Sequence, residues 1–307
     1  MGPMKTYKDF KLNFGGGLSE GKIGRLTEAV KKPHTFIGIL QGGSQSDTDG
    51  KDSRGQNVVI DMIDVDYWDE ELRTVKNPEK NIAFANLGTH FGTSLQNGIL
   101  KNARKGLVLY DFTTSYPAET KKLARRAEKK GIAYLDAGMG RGTTRKLVLM
   151  IGGDQKAFRR SKRFLTPIVE KTFHLGELGS GHAMKLVHNM VLHTIFVSTC
   201  EGARIIERMG MKVEDMIDIF NTSVVYSYVS RHRFPNNILS GKWNTNSRVF
   251  NLHKDVGMAV KLGKKHGAEV SLAENTFSFL GKAIKRGMRE KDFSLLYRDF
   301  EQIRKVR

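Results

Sequence analysis

His174-Leu175-Gly176-Glu177-Leu178-Gly179-Ser180-Gly181-His182-Ala183-Met184-Lys185-Leu186-Val187-His188-Asn189 is where the chain changes character. Up to about Leu175, short apolar runs that read as strands alternate with helical patterns; after Gly181 everything reads helical. Three glycines loosen the backbone, and a long helix follows. Ala183, Met184, Leu186, Val187, Met190, Val191, Ile195, Phe196, Ala203, Ile205, Ile206 and Met209 recur at helical spacing over most of its circumference. The expectation is a helix buried nearly all round. A lysine in its first turns then stands out. Lys185 and Asn189 lie four apart and share a face, with His182 and His188 flanking the strip. An amine with an amide one turn away can hold and protonate a developing alkoxide. A lysine that snorkels its head to water from a buried helix end would look the same.

The 307 residues suffice for two domains, and 39% hydrophobic content supports a real core. The only cysteine, Cys200, falls on the long helix, so no disulfide framework forms and a reducing cytoplasm is expected. No apolar run reaches membrane-spanning length, so no membrane partner is expected. The net charge of +19 raises the question of nucleic acid. The basic residues are scattered, for example Lys121, Lys122, Arg125, Arg126, Lys129 and Lys130 on one helix, without an interleaved aromatic motif or a zinc spacing. A surface that attracts an anionic cofactor and a small anionic substrate accounts for the charge better than a nucleic-acid partner.

Upstream, Lys11–Phe14 reads as a first strand, then Gly15-Gly16-Gly17-Leu18-Ser19-Glu20-Gly21, a helix over Lys22–Lys32 and a second strand over His34–Leu40. Strand, glycine loop and helix suggest a dinucleotide-binding unit in which Gly15, Gly17 and Gly21 let the backbone approach a pyrophosphate. Glu20 stands where the third glycine of G-x-G-x-x-G belongs. A second register makes Phe36–Leu40 the first strand, followed by Gly42 and Gly43; Ser44–Gln56, polar and glycine-broken, is then a poor helix, so the first register is preferred. In that register no acid ends the second strand at Leu40–Gln41, which favours NADP over NAD.

Gly176, Gly179, Gly181, Lys185 and Asn189 form a G-x-x-G-x-G-x-x-x-K-x-x-x-N pattern that resembles the catalytic stretch of the β-hydroxyacid dehydrogenases, to which 6-phosphogluconate dehydrogenase is a distant relative. The likeness runs from about Asn97 to the C-terminus. It implies NAD(P)-dependent hydride transfer between a small hydroxy acid and its semialdehyde or keto form, with Lys185 as general acid and base and Asn189 holding the substrate oxygen. Asp111-Phe112-Thr113-Thr114-Ser115-Tyr116-Pro117 is similar to the family's Asp-Met-Ser-Thr-x-x-Pro loop, and gives Thr114 a contact to cofactor and substrate. Capping by Ser115 of a helix over Pro117–Lys130 is a separate structural expectation. Asp136-Ala137-Gly138-Met139-Gly140-Arg141-Gly142 is similar to the family's substrate-binding Asp-Ala-x-x-Ser-Gly-Gly loop. Gly140, Arg141 and Gly142 take its last three places; a hydroxyl donor is lost and a cation gained. Leu87, in the turn after an Asn81–Leu87 strand, and Lys254, at a Lys-Asp helix start, take cofactor-contacting places. A surface ion pair with Asp255 would equally explain Lys254.

The resulting expectation is an α/β Rossmann-type doubly wound sheet domain over residues 1–177, then an all-α domain over 178–307. The resemblance implies that the helical domain carries the interface of a homodimer or homotetramer. The departures at Glu20, Gly140 and Arg141 leave a second possibility, a non-catalytic relative that binds a ligand or partner.

Overall fold

The computed structural model describes residues 36–38, 82–85, 106–141, 147–165 and 169–306. Six strands form one sheet in the order β1 (Phe36–Gly38), β2 (Ile82–Ala85), β3 (Val108–Asp111), β4 (Ala133–Arg141), β5 (Leu147–Gly152) and β6 (Val169–His174). β1 to β4 are parallel, β4 and β5 antiparallel, and β5 and β6 parallel. Leu107–Tyr110 is an unbroken buried apolar run, as a strand covered on both faces requires. Only residues 142–146 separate β4 from β5, too few for the crossover that a parallel pair needs, so that pair folds back on itself.

Two sequence expectations change here. Ala137–Arg141 is no loop: β4 continues through it, with Gly138 opposite Met150 and Gly140 opposite Val148. Glycine disfavours a strand interior, but the apolar β5 supplies the ladder. The neighbours of β2 are β1 and β3. In a doubly wound sheet the fourth strand lies between the first and the fifth. With Ile82–Ala85 counted as the fourth strand, Phe36–Gly38 takes the place of the first, which favours the register that begins at Phe36; Lys11–Phe14 lies outside the described residues. Gly15, Gly17, Gly21, Leu87 and Gly142 lie outside the described residues.

The chain divides into compact units 1–185 and 186–307. In the first, α1 (Pro117–Glu128) begins with proline at its first turn and buries Thr120, Ala124 and Ala127, while its lysines and arginines cover the outer face. Its N-cap is Tyr116, with no side-chain capping bond, so Ser115, buried, does not cap it. Asp154 caps α2 (Gln155–Ser161) through Ala157 N at 2.6 Å, and β6 begins at Val169. Tyr110, Phe112, Leu135, Leu149 and Ile151 form this unit's core.

The second unit is helical. It takes most of α3 (Ser180–Arg208, 29 residues), then α4 (Val213–Thr222), a π-type helix over Val229–Leu239, α5 (Val249–Lys265) and α6 (Ser271–Ala283). Phe196, Phe234, Val256, Leu280 and Phe300 lie in its core. α3 is not buried all round. Leu186, Phe196, Cys200 and Ala203 are inside, but Met184, Val187, Val191, Ile205 and Met209 are exposed. The apolar pattern has two faces, and among the described residues only one is buried.

Candidate active site

The first turns of α3 are set into the sheet by polar bonds and by missing side chains. Asp136, fully buried in β4, accepts from Gly179 N through Oδ1 and from His182 N through Oδ2, both at 2.7 Å. These are unpaired donors at a helix N-terminus, where a carboxylate is favoured by both hydrogen bonding and the helix dipole. Gly179 has φ +95, a left-handed conformation that suits glycine. Gly181 lies so close to the Met150 carbonyl oxygen that no Cβ fits. At Gly152 a Cβ would meet Asp136 Oδ1 at 2.6 Å and Ser180 Oγ at 2.7 Å.

Lys185 follows from this seating. A Cβ on Gly138 would lie 2.5 Å from Lys185 Cβ and 2.9 Å from the Gly181 oxygen, so the stem of Lys185 rests directly on the β4 backbone. Gly138 and Gly140 are two apart in an extended strand and share a sheet face. The structure thus brings Gly140 to the side of the sheet that Lys185 occupies. Arg141 ends β4, opposite Leu147.

At the end of β3, the Asp111 carboxylate is buried and accepts from Thr113 N at 2.9 Å and from the Tyr134 hydroxyl. Burial raises its pKa; His182, Tyr134 and Thr113 oppose that rise. Burial and then the charge of Asp111 push the Tyr134 hydroxyl well above its ordinary value, so it stays a donor. Thr114 is half-buried in the turn that follows. His182, fully buried, reaches Thr120 Oγ1 at 2.7 Å and the Asp111 carbonyl oxygen at 3.1 Å.

In the helical unit, Asn189 is buried and donates from Nδ2 to Asp255 Oδ2 at 2.7 Å. His188 donates from Nδ1 to Asn189 Oδ1 at 3.0 Å, since an amide oxygen only accepts. Lys254 Nζ is 2.8 Å from Asp255 Oδ1, with side-chain exposures of 20% and 8%. This is not the surface ion pair the sequence allowed, but a largely buried row, Lys254–Asp255–Asn189, that ends on the exposed His188. Asp136, Gly138 and Asp255 escaped sequence reasoning as site residues; Asp136 and Gly138 act through backbone more than 40 positions further on, which no local spacing reveals.

Residues 85–176 match the family model described as the NAD binding domain of 6-phosphogluconate dehydrogenase. Residues 179–300 match the one described as NAD-binding of NADP-dependent 3-hydroxyisobutyrate dehydrogenase. The chain is 28% identical over 210 residues to 2-(hydroxymethyl)glutarate dehydrogenase of Eubacterium barkeri, covering 67% of this chain and 70% of that protein. It is 27% identical over 253 residues to the human mitochondrial 3-hydroxyisobutyrate dehydrogenase, covering 79% and 73%. Among solved structures, the Mycobacterium tuberculosis 3-hydroxyisobutyrate dehydrogenase with L-serine shares the fold, with a TM-score of 0.65 at 20% identity over 87% of this chain and 99% of that one. Among the described residues, no helix is long and apolar enough to cross a membrane.

Proposed function

From the premise that this chain belongs to the β-hydroxyacid dehydrogenase family and is an NAD(P)-dependent oxidoreductase, we propose that it interconverts a small 3-hydroxy acid and its semialdehyde or keto form, with Lys185 as general acid and base. The observation that carries the proposal is the Lys185 stem held against Gly138, at a helix start pinned by Asp136. A merely snorkelling lysine does not call for a glycine beneath its Cβ.

The fold fits a dinucleotide. β1, β2 and β3 are adjacent and parallel, and ligands bind beyond the C-terminal ends of such strands. In the sequence, those three ends lead to Gly42–Gly43, to Leu87 and to Thr114. We assign Gly42 and Gly43 the pyrophosphate-facing place first given to Gly15, Gly17 and Gly21. Leu40 and Gln41 then follow the first strand, and the acid-free position that favoured NADP disappears. Asp61 and Asp64 now fall about 20 residues beyond the glycines, the interval at which an acid accepts from the ribose hydroxyls of NAD. NADH is the preferred cofactor on this reading.

The bound nicotinamide supplies or accepts the hydride. Lys185 Nζ gives its proton to the substrate oxygen during reduction and takes it back in the reverse direction. Asn189, one turn on along α3, is oriented by Asp255 and His188 and keeps a second amide hydrogen for that oxygen. Thr114, Gly140, Arg141 and Gly142 frame the acid group, and Lys254 reaches the cofactor. We further propose a cytoplasmic location, and a homodimer or homotetramer supported by the apolar residues of α3 that are exposed among the described residues.

The test is Lys185→Ala. With a panel of 3-hydroxy acids, L-serine included, turnover is lost while NADH and NADPH binding, followed by fluorescence, is nearly unchanged. Wild-type turnover in the variant removes the assignment.

A further inference from the structure

His182 is tied to three elements at once. Its backbone N–H donates to Asp136 Oδ2 of β4, its Nδ1 meets Thr120 Oγ1 of α1, and its Nε2 meets the Asp111 carbonyl at the end of β3. The ring is fully buried, and a buried imidazole with an unmatched nitrogen would cost about 1–3 kcal/mol. Here both nitrogens are matched. The Asp111 carbonyl can only accept, so Nε2 carries a proton. Nδ1 then accepts from the Thr120 hydroxyl. In the doubly protonated ring it donates to that hydroxyl instead, which turns to the Tyr116 carbonyl at 3.3 Å. Both ring arrangements keep the bridge.

The bridge joins two parts that hydride transfer needs at a fixed offset. On one side is the turn after Asp111, which bears Thr114. On the other is α3, where Lys185 follows His182 by three residues and so lies on the same side of the helix. A side chain needed only to fill space between β3, α1 and α3 would not have to be polar at both ends of its ring. We propose that His182 is a positioning residue: its ring sets the distance between the Thr114 turn and Lys185. This rests on the oxidoreductase reading above.

The test compares His182→Leu, His182→Gln and Thr120→Val with wild type and Lys185→Ala. His182→Leu keeps the volume and loses both ring bonds; it should lower kcat about 10–100-fold, with cofactor Kd and substrate KM moving less than about 3-fold. His182→Gln can still donate to the Asp111 carbonyl and should recover most of the lost kcat. Thr120→Val removes only the Nδ1 partner and should give an intermediate loss. His182→Leu with wild-type kcat, or His182→Gln as impaired as His182→Leu, overturns the proposal. If His182→Leu does not fold, wild-type kcat in Thr120→Val overturns it alone. If Lys185→Ala is dead while the His182 variants are normal, only this inference falls. If Lys185→Ala is active, or wild type transfers no hydride to any member of the panel, the oxidoreductase site reading falls and takes the inference with it.

Discussion

Gly138→Ala adds one methyl group at the point where β4 touches α3. That carbon would sit 2.5 Å from Lys185 Cβ and 2.9 Å from the Gly181 carbonyl oxygen. Carbon atoms rest at about 3.5–4.0 Å, so the helix start must retreat by roughly 1 Å or more. Neither obstacle is the free end of a side chain: one is the first carbon of Lys185, the other is backbone. A rotamer change cannot relieve the clash. Overpacking of this kind costs about 1–3 kcal/mol of stability. A displacement of about 1 Å at an acid–base group costs about 100-fold in rate. The variant should therefore fold with a lowered Tm and show a kcat down by about two orders of magnitude, with cofactor binding close to normal. The assay is steady-state turnover at saturating cofactor, alongside thermal unfolding. A variant with wild-type kcat would refute the seating of Lys185 on Gly138 as the source of its placement.

Asp136→Ala removes the acceptor of two charge-assisted bonds at the start of α3 and should cost about 3–5 kcal/mol, with Asp136→Asn losing about half as much because one oxygen remains. Denaturant midpoints measure both; an alanine variant within about 1 kcal/mol of wild type would contradict the capping role. Burial holds the Asp111 carboxyl above its ordinary 3.8, so the native state keeps that proton to higher pH than the unfolded chain does. The group therefore contributes no destabilisation below 3.8 and an increasing one as pH climbs through the raised value. Asp111→Asn, which keeps an oxygen for Thr113 N, should gain on wild type in urea midpoints as pH rises from about 4 to 7. A difference that is flat with pH would contradict the raised value.

The α/β-then-helical order was legible in the sequence because it depends on local periodicity, and Lys185 and Asn189 stood out because a cation and an amide one turn apart are unusual on an apolar helix. Three features were not legible for physical reasons. Which strand lies beside Ile82–Ala85 is a long-range pairing with no local signature, so the sequence alone does not choose between the two registers of the glycine loop. Ala137–Arg141 lacks strand propensity, and only its antiparallel partner Leu147–Gly152 makes it extended. The apolar positions of α3 were counted correctly, but periodicity cannot say whether the surface they face belongs to the same chain.

Gly138, Gly152 and Gly181 make a patch where β-sheet and helix meet main chain to main chain. Saturation libraries aimed at new substrates would waste most of their members there, since even the methyl group of alanine jams the joint. Diversity is better spent at Gly140 and Arg141, two and three residues further along the same strand, beyond the contact with the helix.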